Sequence, residues 1–176
     1  MDREKFLFDL KEYVQNEIPN ISMTNAKFLR DLININVKNM LEITANGFST
    51  INFAIELEKN NKITTIEFSE NSHNLAKQNF LKVLENIINP IWNALDVIPK
   101  QIDESFDFIF IDGMKRRTVD FLRLSLPKLE KGFIIIDDVI KFKEKMVLYE
   151  FLEDQKISFN IIPIDLDDIM MILKQN

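Results

Sequence analysis

The chain has 176 residues, 46% hydrophobic and 28% charged, with a formal net charge of −6; its pI is near 4.9. That length suits one domain with a substantial core, and the balance is that of a folded globular protein rather than a disordered one. The acidic surplus gives no support to broad nucleic-acid binding, although a local basic patch stays open. Cysteine is absent and histidine occurs once, which removes disulfides, thiolate chemistry, Cys-ligated zinc and a multi-His metal centre. Any metal must be held by oxygen ligands.

Four of the first five residues are charged, and they lead into no signal-like apolar block. The longest apolar runs, 108–111 and 133–136, are far too short to cross a bilayer. The expectation is a cytoplasmic protein with no membrane partner. Residues 4–17 carry Phe6, Leu7, Leu10, Tyr13 and Val14 at helical spacing. That face fits best as packing on the domain's own core, with a homodimer interface or a lid as the alternative. Ser22-Met23-Thr24 is placed to cap a second helix that runs to about Leu32.

From residue 38 onward short apolar runs alternate with amphipathic stretches. The expected order is strand 38–43, helix 49–59, strand 62–68, helix 71–85, strand 87–93, strand 106–111, helix 118–126, strand 132–136 and helix 142–154. The runs 158–162 and 169–173 suggest a closing antiparallel hairpin. Alternation of this kind implies βαβ units and a largely parallel sheet. Residues 108–111 and 133–136 are apolar throughout, as central strands covered on both faces must be. The fold expected is α/β: a Rossmann-like, doubly wound, mostly parallel seven-stranded sheet with an antiparallel C-terminal hairpin. Residues 1–176 form a single domain, with N-terminal helices over 1–36 and a ligand-binding core over 37–176.

Ligands of such sheets bind beyond the carboxyl ends of the strands. The first strand ends in Thr44-Ala45-Asn46-Gly47 before a helix restarts at Ser49-Thr50. A strand–turn–helix of this kind aims backbone N–H groups at an anionic or carboxylate-bearing ligand, with the two hydroxyls expected at the N-cap. Glu67 ends the second strand and follows Gly47 by 20 residues, a position from which a carboxylate can accept both ribose hydroxyls of a nucleoside. Asn93 ends the third and offers an amide to an adenine edge. Asp112 ends the fourth strand, and Asp137-Asp138 the fifth. Three carboxylates on neighbouring strands repel one another unless something positive lies among them, and Mg²⁺ or Ca²⁺ takes such oxygen ligands. Lys115, three residues after Asp112, would stand beside the metal as a general base. Against this stands a plainer account in which Asp112 and Asp138 cap helices, Asp137 is solvated and Lys115 is a surface charge.

Taken in order, Leu41-Glu42-Ile43, Gly47-Phe48-Ser49-Thr50, Ile66-Glu67, Asn93-Ala94-Leu95, 106–112 ending in Asp112, and 134–139 containing Asp137-Asp138 resemble the class I S-adenosylmethionine-dependent O-methyltransferases. The resemblance is closest to the metal-dependent, catechol-O-methyltransferase-like branch. It implies that the loop from Glu42 through Thr44 and Gly47 to Ser49 holds the methionine part of the cofactor. Glu67 with Phe68 would bind the ribose side, Asn93 and Ala94 would border the adenine, and Asp112 would lie against both cofactor and metal. Asp112, Asp137 and Asp138 would ligate Mg or Ca, and Lys115 and Asp112 would be the catalytic pair. This chain departs from the family pattern in four places. One glycine is missing after Ile43, Thr118 replaces an aromatic residue, Trp92 stands where glycine is common, and little chain is left for a substrate lid.

The function so implied is transfer of a methyl group from S-adenosylmethionine to a hydroxyl of a small molecule, assisted by a divalent metal. Lys115-Arg116-Arg117 with Lys141, Lys143 and Lys145 could instead form a rim for tRNA, as in relatives that methylate hydroxylated uridine. Solvated loop charges explain the same residues. The shortened loop also suits a degenerate, non-catalytic module that acts through a partner. A nicotinamide-dependent oxidoreductase fits Glu67 but lacks the Gly-x-Gly-x-x-Gly turn.

Overall fold

The computed structural model describes residues 5, 7–9, 11–12, 21–33, 37–43, 47–57, 61–67, 69–80, 88–139, 145–164 and 169–174, with backbone alone for 75, 79, 88–92 and 169–174. Near the N-terminus residues 5, 7–9, 11 and 12 are helical. Leu7 is fully buried in the chain's own core, while Phe8 is 57% exposed. Helix α1 (Met23–Ile33) opens at Ser22, whose hydroxyl accepts the Asn25 N–H at 3.0 Å, the bond expected of an N-cap serine. There follow β1 (Asn39–Ile43), α2 (Phe48–Glu56), β2 (Lys62–Glu67), α3 (Glu70–Phe80), β3 (Ile88–Trp92), a short α4 (Ala94–Val97) and β4 (Phe106–Ile111). Then come α5 (Thr118–Ser125), β5 (Leu129–Ile136), α6 (Lys145–Asp154), β6 (Phe159–Pro163) and β7 (Ile169–Lys174).

Among the described residues these strands form one sheet in the order β3-β2-β1-β4-β5-β7-β6. From β3 to β5 all neighbours are parallel; β7 runs antiparallel to β5, and β6 antiparallel to β7. The chain winds outward from β1 to β2 and β3, then returns to lay β4 on the other side of β1. The switch point therefore lies above the β1/β4 pair.

The unbroken apolar runs of the sequence separate into two faces. Met40, Phe108, Phe110 and Ile135 pack with Leu29, Ile33, Phe48, Ile51 and Phe53 of α1 and α2. Leu41, Ile43, Ile109, Ile111, Ile134 and Ile136 pack on the opposite face with Phe121 and Leu122 of α5 and Leu148 and Leu152 of α6. Strand side chains alternate between faces, so a strand covered on both sides must be apolar at every position. Phe53 meets Phe110 edge-on, with centroids 5.3 Å apart and planes at 83°.

The lower end of the β4/β5 pair is irregular. From Phe106 to Phe108 β4 advances two residues while β5 advances four, from Leu129 to Phe133. Phe106 is thereby turned to the face opposite Phe108. The Asp107 carboxylate at this bulge accepts the backbone N–H groups of Lys38 at 2.8 Å and Asn39 at 3.1 Å, which fixes where β1 begins. Gly132 fills the opposing position with φ 139, and a Cβ there would lie 1.9 Å from the Asp107 carbonyl oxygen.

Of the boundaries that differ from the sequence expectation, two have a clear backbone cause. Strand β5 begins at Leu129 rather than 132, because Leu129 pairs with Phe106 beyond the bulge. Helix α2 begins at Phe48 behind Gly47, which serves as N-cap in the left-handed region (φ 85, ψ 4) with no side-chain cap. Ser49 and Thr50 are therefore inside the first turn and do not cap it.

Candidate functional site

The parallel strands end level with one another. Ile43 C=O accepts the Asp112 N–H at 2.8 Å, Ile111 C=O that of Asp137 at 3.1 Å, and Glu67 C=O that of Asn93 at 2.5 Å. Backbone pairing thus carries Glu67, Asn93, Asp112, Asp137 and Asp138 to a single edge of the sheet, around the switch point. Thr44 and Phe68, two of the expected cofactor residues, lie outside the described residues, as do Lys141 and Lys143 of the suggested basic rim.

Glu42 lies one residue short of the end of β1 and is completely buried. It shares the α2 side of the sheet with Met40, and the Thr50 hydroxyl donates to its Oε2 at 2.5 Å. Burial drives its pKa from an ordinary 4.5 to about 7; hydrogen bonds from Ser49, Thr50 and Thr65 pull it down, and the negative charge of Asp112 adds to the rise. The helix start explains this arrangement, since hydroxyls in the first turn of α2 face β1. Thr65 is brought in by register, being the β2 residue opposite Glu42. Thr50 and Thr65 were not anticipated in this role. Their only signal in the sequence is a hydroxyl where a buried acid must find partners, and it becomes legible once the pairing is known.

Glu67 is also fully buried, and Ser49 is 4% exposed. Asn93 takes a left-handed conformation (φ 67) as the N-cap of α4, and its side-chain amide donates to the Asp96 carboxylate. Ala94 is buried in the same apolar cluster as Ile66 and Ile98, on the α5 and α6 face of the sheet. The short α4 and the single 3-10 turn Ile98–Lys100 that follows it were not expected from the sequence; they lay the backbone after Asn93 along the top of β2 and β3.

The structure departs most from expectation at the three aspartates. Lys115 opens a single 3-10 turn, Lys115–Arg117, and its side chain turns inward. Nζ donates to Asp112 Oδ1 at 2.8 Å and to the Asp137 carbonyl at 3.3 Å. It lies 4.0 Å from Asp137 Oδ2 and 3.8 Å from Asp138 Oδ2. Asp138 reaches this cluster from a left-handed backbone, φ 59. Burial alone would lower the Lys115 pKa; the charges of Asp112, Asp137 and Asp138, with the Asp112 hydrogen bond, outweigh it and hold the amine above its ordinary 10.5. Lys115 is an ammonium here, a donor rather than a base.

As a metal centre the set fits in one respect and not in another. Three carboxylates suit a hard divalent cation in donor type and charge. Their spacing about the common point does not, because Mg²⁺ and Ca²⁺ need oxygens at about 2.0–2.6 Å and Lys115 Nζ is seated there. Among the described residues no group of three His, Cys, Asp or Glu converges to hold a metal ion. The sequence expectation places the aspartates around a metal with Lys115 alongside; in this structure they surround Lys115. The fit to a cation holds only with the ammonium withdrawn. Of the other basic residues, Arg117 pairs with Asp120 at 2.8 Å, and Arg116 Nε contacts the Met114 sulfur at 2.9 Å.

An open α/β sheet whose strand ends present a buried glutamate, an amide and three aspartates at a switch point defines a Rossmann-like domain built to take a ligand across that edge. The chain belongs to the class I S-adenosylmethionine-dependent O-methyltransferase family, and it matches the family model described as O-methyltransferase over residues 3–160. It is 30% identical over 130 residues to a catechol O-methyltransferase of Niastella koreensis, covering 69% of this chain and 59% of the relative. A catechol O-methyltransferase of Mycobacterium tuberculosis is 30% identical over 135 residues, covering 71% and 60% respectively. The chain thus spans about three fifths of the length of these curated relatives. Among solved structures, a candidate caffeoyl-CoA O-methyltransferase from Staphylococcus aureus superposes with a TM-score of 0.84 at 27% identity, covering 96% of this chain and 92% of that one. An O-methyltransferase from Bacillus cereus, solved with S-adenosylhomocysteine, gives 0.81 at 23% identity over 97% and 90%, and supports the fold. No described helix is long and apolar enough to cross a membrane.

Proposed function

We propose that this chain binds S-adenosylmethionine across the ends of β1, β2 and β3 and transfers its methyl group to a hydroxyl of a small molecule. The observation that carries the reading is the fully buried carboxylate of Glu67 at the end of β2, next to the switch point, where a nucleoside ribose offers two hydroxyl donors. The turn from Glu42 to Ser49 would receive the methionine end, with Gly47 permitting close backbone approach. Asn93 and Ala94 would border the adenine. The aspartates Asp112, Asp137 and Asp138 would hold a divalent cation, which when bound supplies a charge that orients the acceptor and lowers its hydroxyl pKa.

S-adenosylmethionine, when bound, would supply a methyl carbon activated by its sulfonium sulfur and would leave as a neutral thioether once the acceptor oxygen had taken the methyl group, and Lys115 Nζ would receive the hydroxyl proton. That last role requires the amine to be free of its carboxylates and unprotonated, unlike its state in this structure. The inward turn of Lys115 and the Arg117–Asp120 pair weaken the case for a basic rim that grips tRNA.

Calorimetric titration of S-adenosylhomocysteine tests the reading. Binding in the micromolar range is expected, and Glu67→Ala should weaken it by roughly tenfold or more, as loss of a charged hydrogen-bond acceptor does. No heat at several temperatures would sink the proposal. A catechol is the first acceptor to offer, because the curated relatives carry that substrate in their names.

A further inference from the structure

Gly47 stands at the entry to α2, and α3 closes it on one side. A Cβ built on Gly47 would lie 2.7 Å from Phe80 Cε1, 3.1 Å from Phe80 Cζ and 3.3 Å from the Cα of Ala76. The first of these is closer than side-chain atoms come to one another, so α3 already fills the space in which residue 47 would carry a side chain. A ligand must meet this turn from its other sides. Ala76 and Phe80 are four residues apart and share one face of α3. The small Ala76 lets the helix backbone come near, and the Phe80 ring fills what is left. Ala76 is fully buried and Phe80 is 5% exposed. The first turn of α2 is tied to α1 by polar bonds: Asn52 Nδ2 donates to the Phe48 carbonyl at 2.9 Å, and Arg30 donates to Asn52 Oδ1 at 3.2 Å. Gly47, one residue earlier, has φ 85 and no side-chain cap, and the Phe80 ring is what stands against it.

We propose that Phe80 is a positioning residue, whose ring holds the Gly47 turn in the shape that receives the amino-acid end of S-adenosylmethionine. The inference rests on the cofactor reading above and adds to it a residue outside the binding edge. A left-handed glycine moves easily wherever neighbouring volume opens. Cutting back the ring leaves a cavity beside it, the turn settles towards α3, and the backbone N–H groups that open α2 lose their aim at a carboxylate. Glu67 and Asn93 do not follow, because pairing of β2 with β3 and the Asn93 N–H bond to the Glu67 carbonyl fix them. The amino-acid end of the ligand is therefore sensitive to Phe80, and the nucleoside end is indifferent to it.

Calorimetry with two ligands tests this: S-adenosylhomocysteine, and methylthioadenosine, which keeps the adenine, ribose and sulfur but lacks the amino-acid end. Wild type is compared with Phe80→Leu, Phe80→Ala and Phe108→Leu, the last a cut in the same apolar cluster on a central strand. Phe80→Ala should weaken S-adenosylhomocysteine by about tenfold and change methylthioadenosine by no more than about twofold. Phe80→Leu should fall between, and it decides the matter if the alanine variant does not fold. Phe108→Leu should lower the denaturant midpoint and leave both affinities within about twofold of wild type. Equal losses for the two ligands in the Phe80 variants, no loss for either, or the same selective loss in Phe108→Leu would each overturn the role of Phe80 alone. If methylthioadenosine binds too weakly to measure, the contrast between Phe80→Leu and Phe108→Leu towards S-adenosylhomocysteine decides. Wild type that binds neither ligand would overturn the cofactor reading, and the positioning role with it.

Discussion

Glu42 is a carboxyl group poised near neutrality by burial and held by three hydroxyl residues, and its effect on stability has a definite sign. Its folded pKa, about 7, lies above the ordinary 4.5. Well below pH 4.5 both folded and unfolded chains carry the proton, and the titration of Glu42 adds no cost. Between 4.5 and 7 the unfolded chain releases the proton while the folded one keeps it, so stability falls as pH rises and levels off above 7. The loss is on the order of 3 kcal/mol. His73 opposes it: burial and Lys77 hold its pKa below the ordinary 6.5, with Glu70 pulling the other way. Its contribution is therefore lost as pH falls. A single profile mixes the two groups, and the difference between wild type and Glu42→Gln separates them. Urea midpoints taken from pH 4.5 to 8 should show the glutamine variant gaining on wild type as pH rises. A constant gap across that range would mean that Glu42 does not titrate there.

At the scale of elements the β4/β5 bulge deserves the most specific prediction. Gly132 is the one residue type that fits, because a Cβ at that position would overlap the Asp107 carbonyl, 1.9 Å away, and the backbone there has φ 139. The same stretch carries the Asp107 carboxylate that fixes the start of β1. Gly132→Ala should cost about 3 kcal/mol or more by forcing two strands apart, read as a lower denaturant midpoint. A loss under about 1 kcal/mol would show that the pair relaxes readily. The bulge was hidden in the sequence, where Leu129-Glu130-Lys131 looks like a turn before an apolar strand. The central runs 108–111 and 133–136 were readable as covered strands because apolar residues on both faces have few other uses. Helix α2 was readable as an element but not in its first residue. Ser49 looks like an N-cap by type, and Gly47 took the position because only the glycine accepts φ 85 without strain.

For the molecule as a whole, the site is a property of the sheet edge, so a ligand bound there should stabilise the entire domain. S-adenosylhomocysteine at about 100 times its dissociation constant is expected to add about 2.7 kcal/mol, a rise in Tm of roughly 5–10 °C for a domain of this size. Differential scanning calorimetry reads this directly, and an unchanged Tm at saturating ligand would mean that the bound form is not this fold. The residue types at the edge could be read from the sequence, because in a parallel sheet every strand end arrives on the same side, and a polar residue after each apolar run is enough to mark it. By itself the sequence determined the α/β alternation, the family, and the presence of Glu67, Asn93, Asp112, Asp137 and Asp138 at strand ends. The tertiary structure alone decided that Thr65 meets Glu42 and that Lys115 lies among the aspartates. The reason is physical: the order of residues along a strand is local information, whereas register between strands and the direction of a long, flexible charged side chain are set by packing and by charges distant in the chain.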